Sequence, residues 1–219
     1  MLAWTEGPAC VVIDPGFYTE QEKEEFFNYI EKEALKPEAV LITHAHFDHI
    51  FGVAEVCRRF GIPAYMDPKE TMCFEANREM IRGLGLRNPD LSFSWTGIHE
   101  GMKIEVAGFC FEVISTPGHA PGAVCFLDRQ QKLMFTGDTL FAGTIGRTDL
   151  MFSNYDDEIR SIMEKLILLE PDIRFYPGHG PSSTIGRERN GNPFLEPFNE
   201  PEEIFDEDIE PVVISGLQE

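Results

Sequence analysis

The chain has 219 residues, 42% of them hydrophobic, and a formal net charge of −20 from 18 basic and 38 acidic side chains. That length and apolar content can bury one sizeable core, while the charge supplies no basic surface for nucleic acid or for an anionic membrane. No apolar run approaches the ~20 residues that span a bilayer, and five cysteines without a C-x-x-C pair or a signal peptide read as reduced thiols of a soluble cytoplasmic protein.

Met1-Leu2-Ala3-Trp4 predicts the tail of a strand, Thr5 to Pro8 a turn, and Ala9-Cys10-Val11-Val12-Ile13 a second strand closed by Asp14-Pro15-Gly16. A helix follows from an N-cap at Thr19 with Glu22 as capping-box partner, carries Phe26, Phe27, Ile30 and Ala34 on its apolar stripe, and ends before Pro37. Val40-Leu41-Ile42-Thr43 reads as a short buried strand that runs into the sequence Thr43 to His49, THAHFDH. Ile50 to Phe60 reads as a helix with Val53, Val56 and Cys57 inward and Gly61 as its stop; Ile62 to Tyr65 reads as a strand, and Asp67 to about Arg82 as a helix with Pro68 in its first turn. Strand, helix and strand in that order predict an α/β layered fold. Turn residues and scattered aromatics from Gly83 to Gly101, Phe93 and Trp95 among them, read as a substrate-side flap. Two hairpins follow, Met102 to Val106 with Phe109 to Ile114, and Ala123 to Leu127 with Lys132 to Phe135. A helix from about Asn154 to Leu169 presents Ile159, Ile162, Met163, Leu166 and Leu169, and Arg174-Phe175-Tyr176 gives a further strand. The chain is thus expected to form one catalytic domain over 1–195 and an acidic tail over 196–219, tacked down by Val212, Val213 and Ile214.

The chemistry concentrates in H-x-H-x-D-H: His44, His46, Asp48 and His49. Three of the six histidines fall here, and imidazole with carboxylate suits zinc, iron or manganese. A catalytic metal keeps one position open, so four ligands in so short a stretch point to two ions, with a loop leaving the strand able to aim alternate side chains at two neighbouring sites. His119 in Thr116-Pro117-Gly118-His119, Asp138 in Gly137-Asp138 and His179 in Pro177-Gly178-His179 each follow a predicted strand and a glycine, where a layered α/β fold presents functional groups.

In this order H-x-H-x-D-H, T-P-G-H, G-D and G-H resemble the metallo-β-lactamase superfamily, over roughly Cys10 to Leu195. The resemblance implies a four-layer αβ/βα sandwich with a binuclear site at one edge. By position, His44, His46 and His119 would hold one divalent ion, most simply zinc, with iron or manganese as alternatives. Asp48, His49 and His179 would hold the second and Asp138 would bridge both, which makes Asp48 and Asp138 the carboxylates expected to act in catalysis. His99 matches no motif position. Gly137 to Phe141, Gly146-Arg147-Thr148-Asp149 and Pro177 to Leu195 are similar to short bacterial hydroxyacylglutathione hydrolases, or glyoxalase II-like proteins. The implied reaction is hydrolysis of a small-molecule thioester such as S-lactoylglutathione by a hydroxide shared between the metals, with Arg147 facing a substrate carboxylate and Asp14 fixing a ligand or loop.

Three departures bear on that reading. Full-length glyoxalase II grips glutathione with a basic helical domain, whereas this chain ends in nine acids within 24 residues and no cation, and Gly180-Pro181-Ser182 stands where those enzymes carry a tyrosine. The family's first strand is short here, so an open sheet edge and a homo-oligomer are expected. The competing readings are an iron persulfide dioxygenase using His44, His119 and Asp138, a lactamase, and a non-catalytic scaffold held by metal.

Overall fold

In the computed structural model, which describes residues 1–195, the local signals are met at close range. β1 (Leu2–Ala3) and β2 (Ala9–Ile13) pair antiparallel and lead to α1 (Glu20–Lys32). Thr19 caps α1, accepting from Glu22 N at 3.2 Å while the Glu22 carboxylate accepts from Thr19 N at 2.8 Å. Phe27 and Ile30 are buried as expected, but Ala34 is not on the stripe: it lies beyond the helix end at φ 52° and is exposed. Leu35 turns inward instead, against Cys10 and Ile30.

β3 (Lys36–Leu41) begins earlier than expected and is followed by two helices where one was predicted, α2 (Phe47–Ile50) and α3 (Val53–Phe60). The break has a cause: Gly52 N donates to Pro15 O at 2.7 Å, so the turn after β2 claims a donor that a continuous helix would direct at its own backbone. Gly61 ends α3 in the left-handed region at φ 67°. β4 (Ala64–Met66), a 3-10 turn (Pro68–Glu70) and α4 (Thr71–Gly83) follow. The presumed flap is corrected in part: Trp95–Gly97 is β5, a parallel edge strand on β4, and Phe93 and Trp95 pack on the core beneath the helices.

The hairpins form as predicted. β6 (Lys103–Val106) and β7 (Phe109–Ser115) turn on Ala107 and Gly108, both at positive φ, 52° and 81°. β8 (Val124–Asp128) and β9 (Leu133–Gly137) continue the sheet, followed by the ribbon β10 (Leu140–Phe141) and β11 (Thr144–Ile145). α5 (Tyr155–Ser161), capped by Asn154, passes into a π-helical turn, Ile162–Leu166, rather than one uniform helix to Leu169. β12 (Arg174–Pro177), β13 (Ser183–Thr184) and α6 (Ile185–Gly191) complete the described chain. The acidic stretch 196–219, with Val212, Val213 and Ile214, lies outside the described residues.

One sheet has the order β1-β2-β3-β4-β5 and the other β13-β12-β9-β8-β7-β6. Alternation along the strands shows how they stack. Val11, Ile13, Ala39 and Leu41 meet Phe111, Val113, Phe126 and Phe135 between the sheets, while Val12, Val40 and Ile42 face Phe27, Val53 and Val56 on the outside. On the far face Cys125, Leu127, Met134 and Phe175 meet Ile159, Ile162, Leu166 and Ile185. Central strands buried on both faces explain the unbroken apolar runs in the sequence. The result is helix, sheet, sheet, helix: the expected αβ/βα sandwich.

Candidate metal centre

β2 and β3 run parallel, and β9 runs parallel to β12. β7 is antiparallel to β8, which is antiparallel to β9, so β7 shares the direction of β9. The carboxyl ends of β2, β3, β7, β9 and β12 carry Asp14, the histidine motif, His119, Asp138 and His179 respectively. A backbone bond from Val124 N to Thr43 O, 2.9 Å, ties the two sheets together beside them.

His44, His46 and His119 each offer an atom within 4.8 Å of the others, and so do Asp48, His49 and His179. Asp138 stands between the triplets: its Oδ1 is 3.3 Å from His49 Nε2, and its Oδ2 is 3.7 Å from both His119 Nε2 and His179 Nε2. His46 Nδ1 lies 2.8 Å from His119 Nε2, and His179 Nε2 lies 3.1 Å from Asp48 Oδ2. The four histidines nearest the core are buried, whereas His179 remains exposed at the rim. The motif is not wholly loop: His44 and His46 precede α2, while Asp48 and His49 lie within its single turn. All seven residues named from sequence therefore meet at one edge of the sandwich, and His99 lies exposed elsewhere, bonded to Glu100 O.

The outer contacts fix which ring nitrogen faces inward. Asp14 accepts from Thr43 N at 2.8 Å and from Thr43 Oγ1 at 2.6 Å, and it holds His49 Nδ1 at 3.0 Å. Thr43 Oγ1 in turn lies 3.1 Å from His44 Nδ1, and Arg147 O lies 2.8 Å from His119 Nδ1. In these three rings Nδ1 is engaged, which leaves Nε2 as the ligand-competent atom, whereas His46 turns its Nδ1 toward His119. His44 Nε2, His49 Nε2 and Asp138 Oδ1 are buried and make no well-aligned hydrogen bond among the described residues, the last two facing each other at 3.3 Å. Buried polar atoms without hydrogen bonds are costly, and one cation at each of the two triplets, with Asp138 between them, would engage all three.

Protonation agrees with that use. Burial, reinforced by neighbouring imidazoles, drives His44 well below its usual pKa and His46 down to about 4. Burial also lowers His119, against the opposing pull of Asp138. These three rings are neutral and able to ligate at pH 7. Burial likewise disfavours charge on His49, but Asp138 and Asp14 outweigh it and raise its pKa to about 10. The histidines in turn hold Asp138 below the usual carboxylate range in spite of its burial. Such a His/Asp cluster takes divalent metal ions.

Arg147 is placed differently from its expected part. Its guanidinium is exposed and doubly bonded to Asp149, at 2.7 and 2.8 Å, so what reaches the cluster is its backbone carbonyl. Sequence reasoning missed three buried polar residues. Glu70 accepts from Ala45 N at 2.5 Å and Gly122 N at 2.6 Å, joining the histidine motif to the loop after His119. Asn77 Nδ2 donates to Ala45 O at 2.5 Å, and Glu158 on α5 accepts from His119 N at 2.7 Å. A signal existed for the first two: Glu70, Cys73, Asn77 and Ile81 repeat at helical spacing on one buried stripe.

Residues 2–179 match the family model of the metallo-beta-lactamase superfamily. The chain is 38% identical over 197 residues to the hydroxyacylglutathione hydrolase GloC of Haemophilus influenzae, covering 89% of this chain and 91% of that protein. It is 36% identical to the probable metallo-hydrolase YqgX of Bacillus subtilis, covering 87% and 89%. Among solved structures, the BLEG-1 B3 metallo-beta-lactamase superposes with a TM-score of 0.80 at 34% identity, covering 89% of this chain and 92% of that one. TTHA1623 in a di-iron-bound form gives 0.78 at 37% identity, covering 89% and 93%.

Proposed function

The chain belongs to the metallo-beta-lactamase superfamily and is a metal-dependent hydrolase, and on that premise we propose that it cleaves thioesters of the hydroxyacylglutathione type. His44, His46 and His119 would hold one divalent ion and Asp48, His49 and His179 a second, with Asp138 within reach of both triplets. Zinc suits these ligands best, and iron is the alternative, favoured by the di-iron form of a 37% identical neighbour. The observation that carries the metal placement is that His44 Nε2, His49 Nε2 and Asp138 Oδ1 are buried without a hydrogen bond, and the 38% identity to a hydroxyacylglutathione hydrolase supports the thioester.

When bound, such ions polarise a carbonyl and lower the pKa of a water to near 7. The protein's part is to hold the ligands: Asp14 keeps His49 Nε2 turned inward, Arg147 O does so for His119, and Glu70 binds the two ligand loops together. A thioester suits such a site, because a thiol of pKa about 8.5 leaves as thiolate without needing a general acid. Arg147 pairs with Asp149 through Nε and Nη2, so a substrate carboxylate would meet its outer donors or compete with that partner.

Two further reactions enter the test, lactam opening because of the solved lactamase neighbour and persulfide oxidation because three of these residues would suffice for one iron. Metal-loaded protein is assayed with S-lactoylglutathione, with a chromogenic cephalosporin, and with glutathione persulfide under O2-uptake recording. The proposal expects turnover of the thioester well above the other two. Cephalosporin opening or O2 consumption as the dominant reaction would replace it.

A further inference from the structure

A cleft opens beside His46, between α4 and residues 150–151, lined by Cys73, Ala76, Asn77, Met80, Leu150 and Met151. We infer that this cleft is the acyl-side pocket of the active site, and that it takes a short, uncharged acyl group. The inference rests on the thioester reading for its reaction, and on the following geometry for its place and size.

His46 belongs to the His44, His46, His119 triplet, so a group in the cleft lies directly against one half of the cluster. Among the described residues, the walls apart from His46 and Asn77 are aliphatic or sulfur-bearing, without lysine or arginine. A thiol carrier with carboxylates would leave its charges unpaired here, whereas an acyl chain has none to pair. The free volume is about 130 Å³. A dry apolar cavity of about 150 Å³ holds a benzene-sized group, so an acyl group of a few carbons fits and a long chain does not.

The inner wall is held firmly. Glu70 and Asn77 bond α4 to Ala45, and burial, with Glu70 beside it, pushes the Cys73 thiol far up, so Cys73 serves as an apolar wall and not as a nucleophile. The outer wall is less confined, since Met151 is 55% exposed and stands at the mouth. Methionine is well suited to such a wall because its unbranched thioether adapts to the group it covers. The helix that clamps the backbone of the histidine motif therefore also shapes the space in front of His46, which couples chain-length preference to α4.

The test uses N-acetylcysteamine thioesters with acetyl, butyryl, hexanoyl and octanoyl groups, so that the thiol stays constant. The wild-type protein should prefer butyryl over acetyl and lose activity toward octanoyl. Ala76→Leu should lower the butyryl-to-acetyl ratio of kcat/KM about tenfold, the discrimination that filling a hydrophobic pocket by a few methyl groups supplies. Met80→Ala should shift the preferred chain longer. A second readout needs no turnover: in protein labelled with methyl-13C methionine, butyramide should shift the Met80 and Met151 resonances, and Ala76→Leu should abolish the shift. Thioester cleavage with a flat chain-length series, an unchanged ratio in Ala76→Leu and no methyl shift would overturn the pocket and leave the thioester reading standing. Methyl shifts without cleavage of any thioester would do the reverse.

Discussion

Asp14 sits at φ 44°, a positive value that aspartate tolerates better than most residues, and its carboxylate is held by its surroundings. Those surroundings are Thr43 and His49, and through them His44. Asp14→Ala should lower metal affinity about 10- to 100-fold, read as ions retained per chain after dialysis, because His49 loses the partner that sets its tautomer. Unchanged occupancy would show that the ligands orient without it. His49 gives a pH dependence. In metal-free protein its folded pKa, about 10, stands above the unfolded value of about 6.5. Its ionised form therefore stabilises the metal-free fold fully below pH ~6.5, and that contribution is lost as pH rises through about 10. Coordination needs the neutral ring, so metal uptake at pH 7 should release a proton, measurable by calorimetry in buffers of different ionisation enthalpy. No dependence on buffer would contradict the placement of His49 among the ligands. At this scale the cluster was legible because its histidines stand in short motifs after strands. Glu70 and Glu158 were not legible as supports, because a lone glutamate in a helical stretch looks like a solvated face until tertiary packing buries it.

The elements show the same division. The α1 capping box, the Ala107-Gly108 hairpin and the apolar strands were readable because their causes are local. The break between α2 and α3 depends on Pro15, far back in the chain, and β5 depends on pairing with β4, so neither left a local trace. The π-turn Ile162–Leu166 likewise interrupts a periodic pattern that predicts an unbroken helix. Helix α4, with the 3-10 turn before it, matters most to the site. Glu70→Ala would leave Ala45 N and Gly122 N without their acceptor, and buried groups so orphaned cost about 1–3 kcal/mol. The denaturant midpoint should fall accordingly, and metal affinity with it, since both ligand loops lose their tie. A change in neither would mean that water replaces the carboxylate.

For the whole molecule, the proposed metal ions would join loops from both sheets at one edge of the sandwich. Ions that bind only the folded state stabilise it by about 4 kcal/mol when present at a thousand times their dissociation constant. Chelation should therefore lower the melting temperature by on the order of 10 °C, given ~2–4 °C per kcal/mol at this chain length. The sandwich itself was legible because strands apolar on both faces admit few other architectures, and the net charge of −20 kept nucleic acid out of consideration. The identity of the substrate was less legible, because the apolar cleft beside His46 draws on α4 and on residues 150–151, which no motif connects. The most direct test of the account measures metal content and S-lactoylglutathione hydrolysis on the same samples as ions are stripped stepwise, with His46→Ala alongside. The account predicts two divalent ions per chain, activity that falls with them, and a variant deficient in both. Full hydrolysis by metal-free protein, or two bound ions with no thioester cleaved, would contradict it.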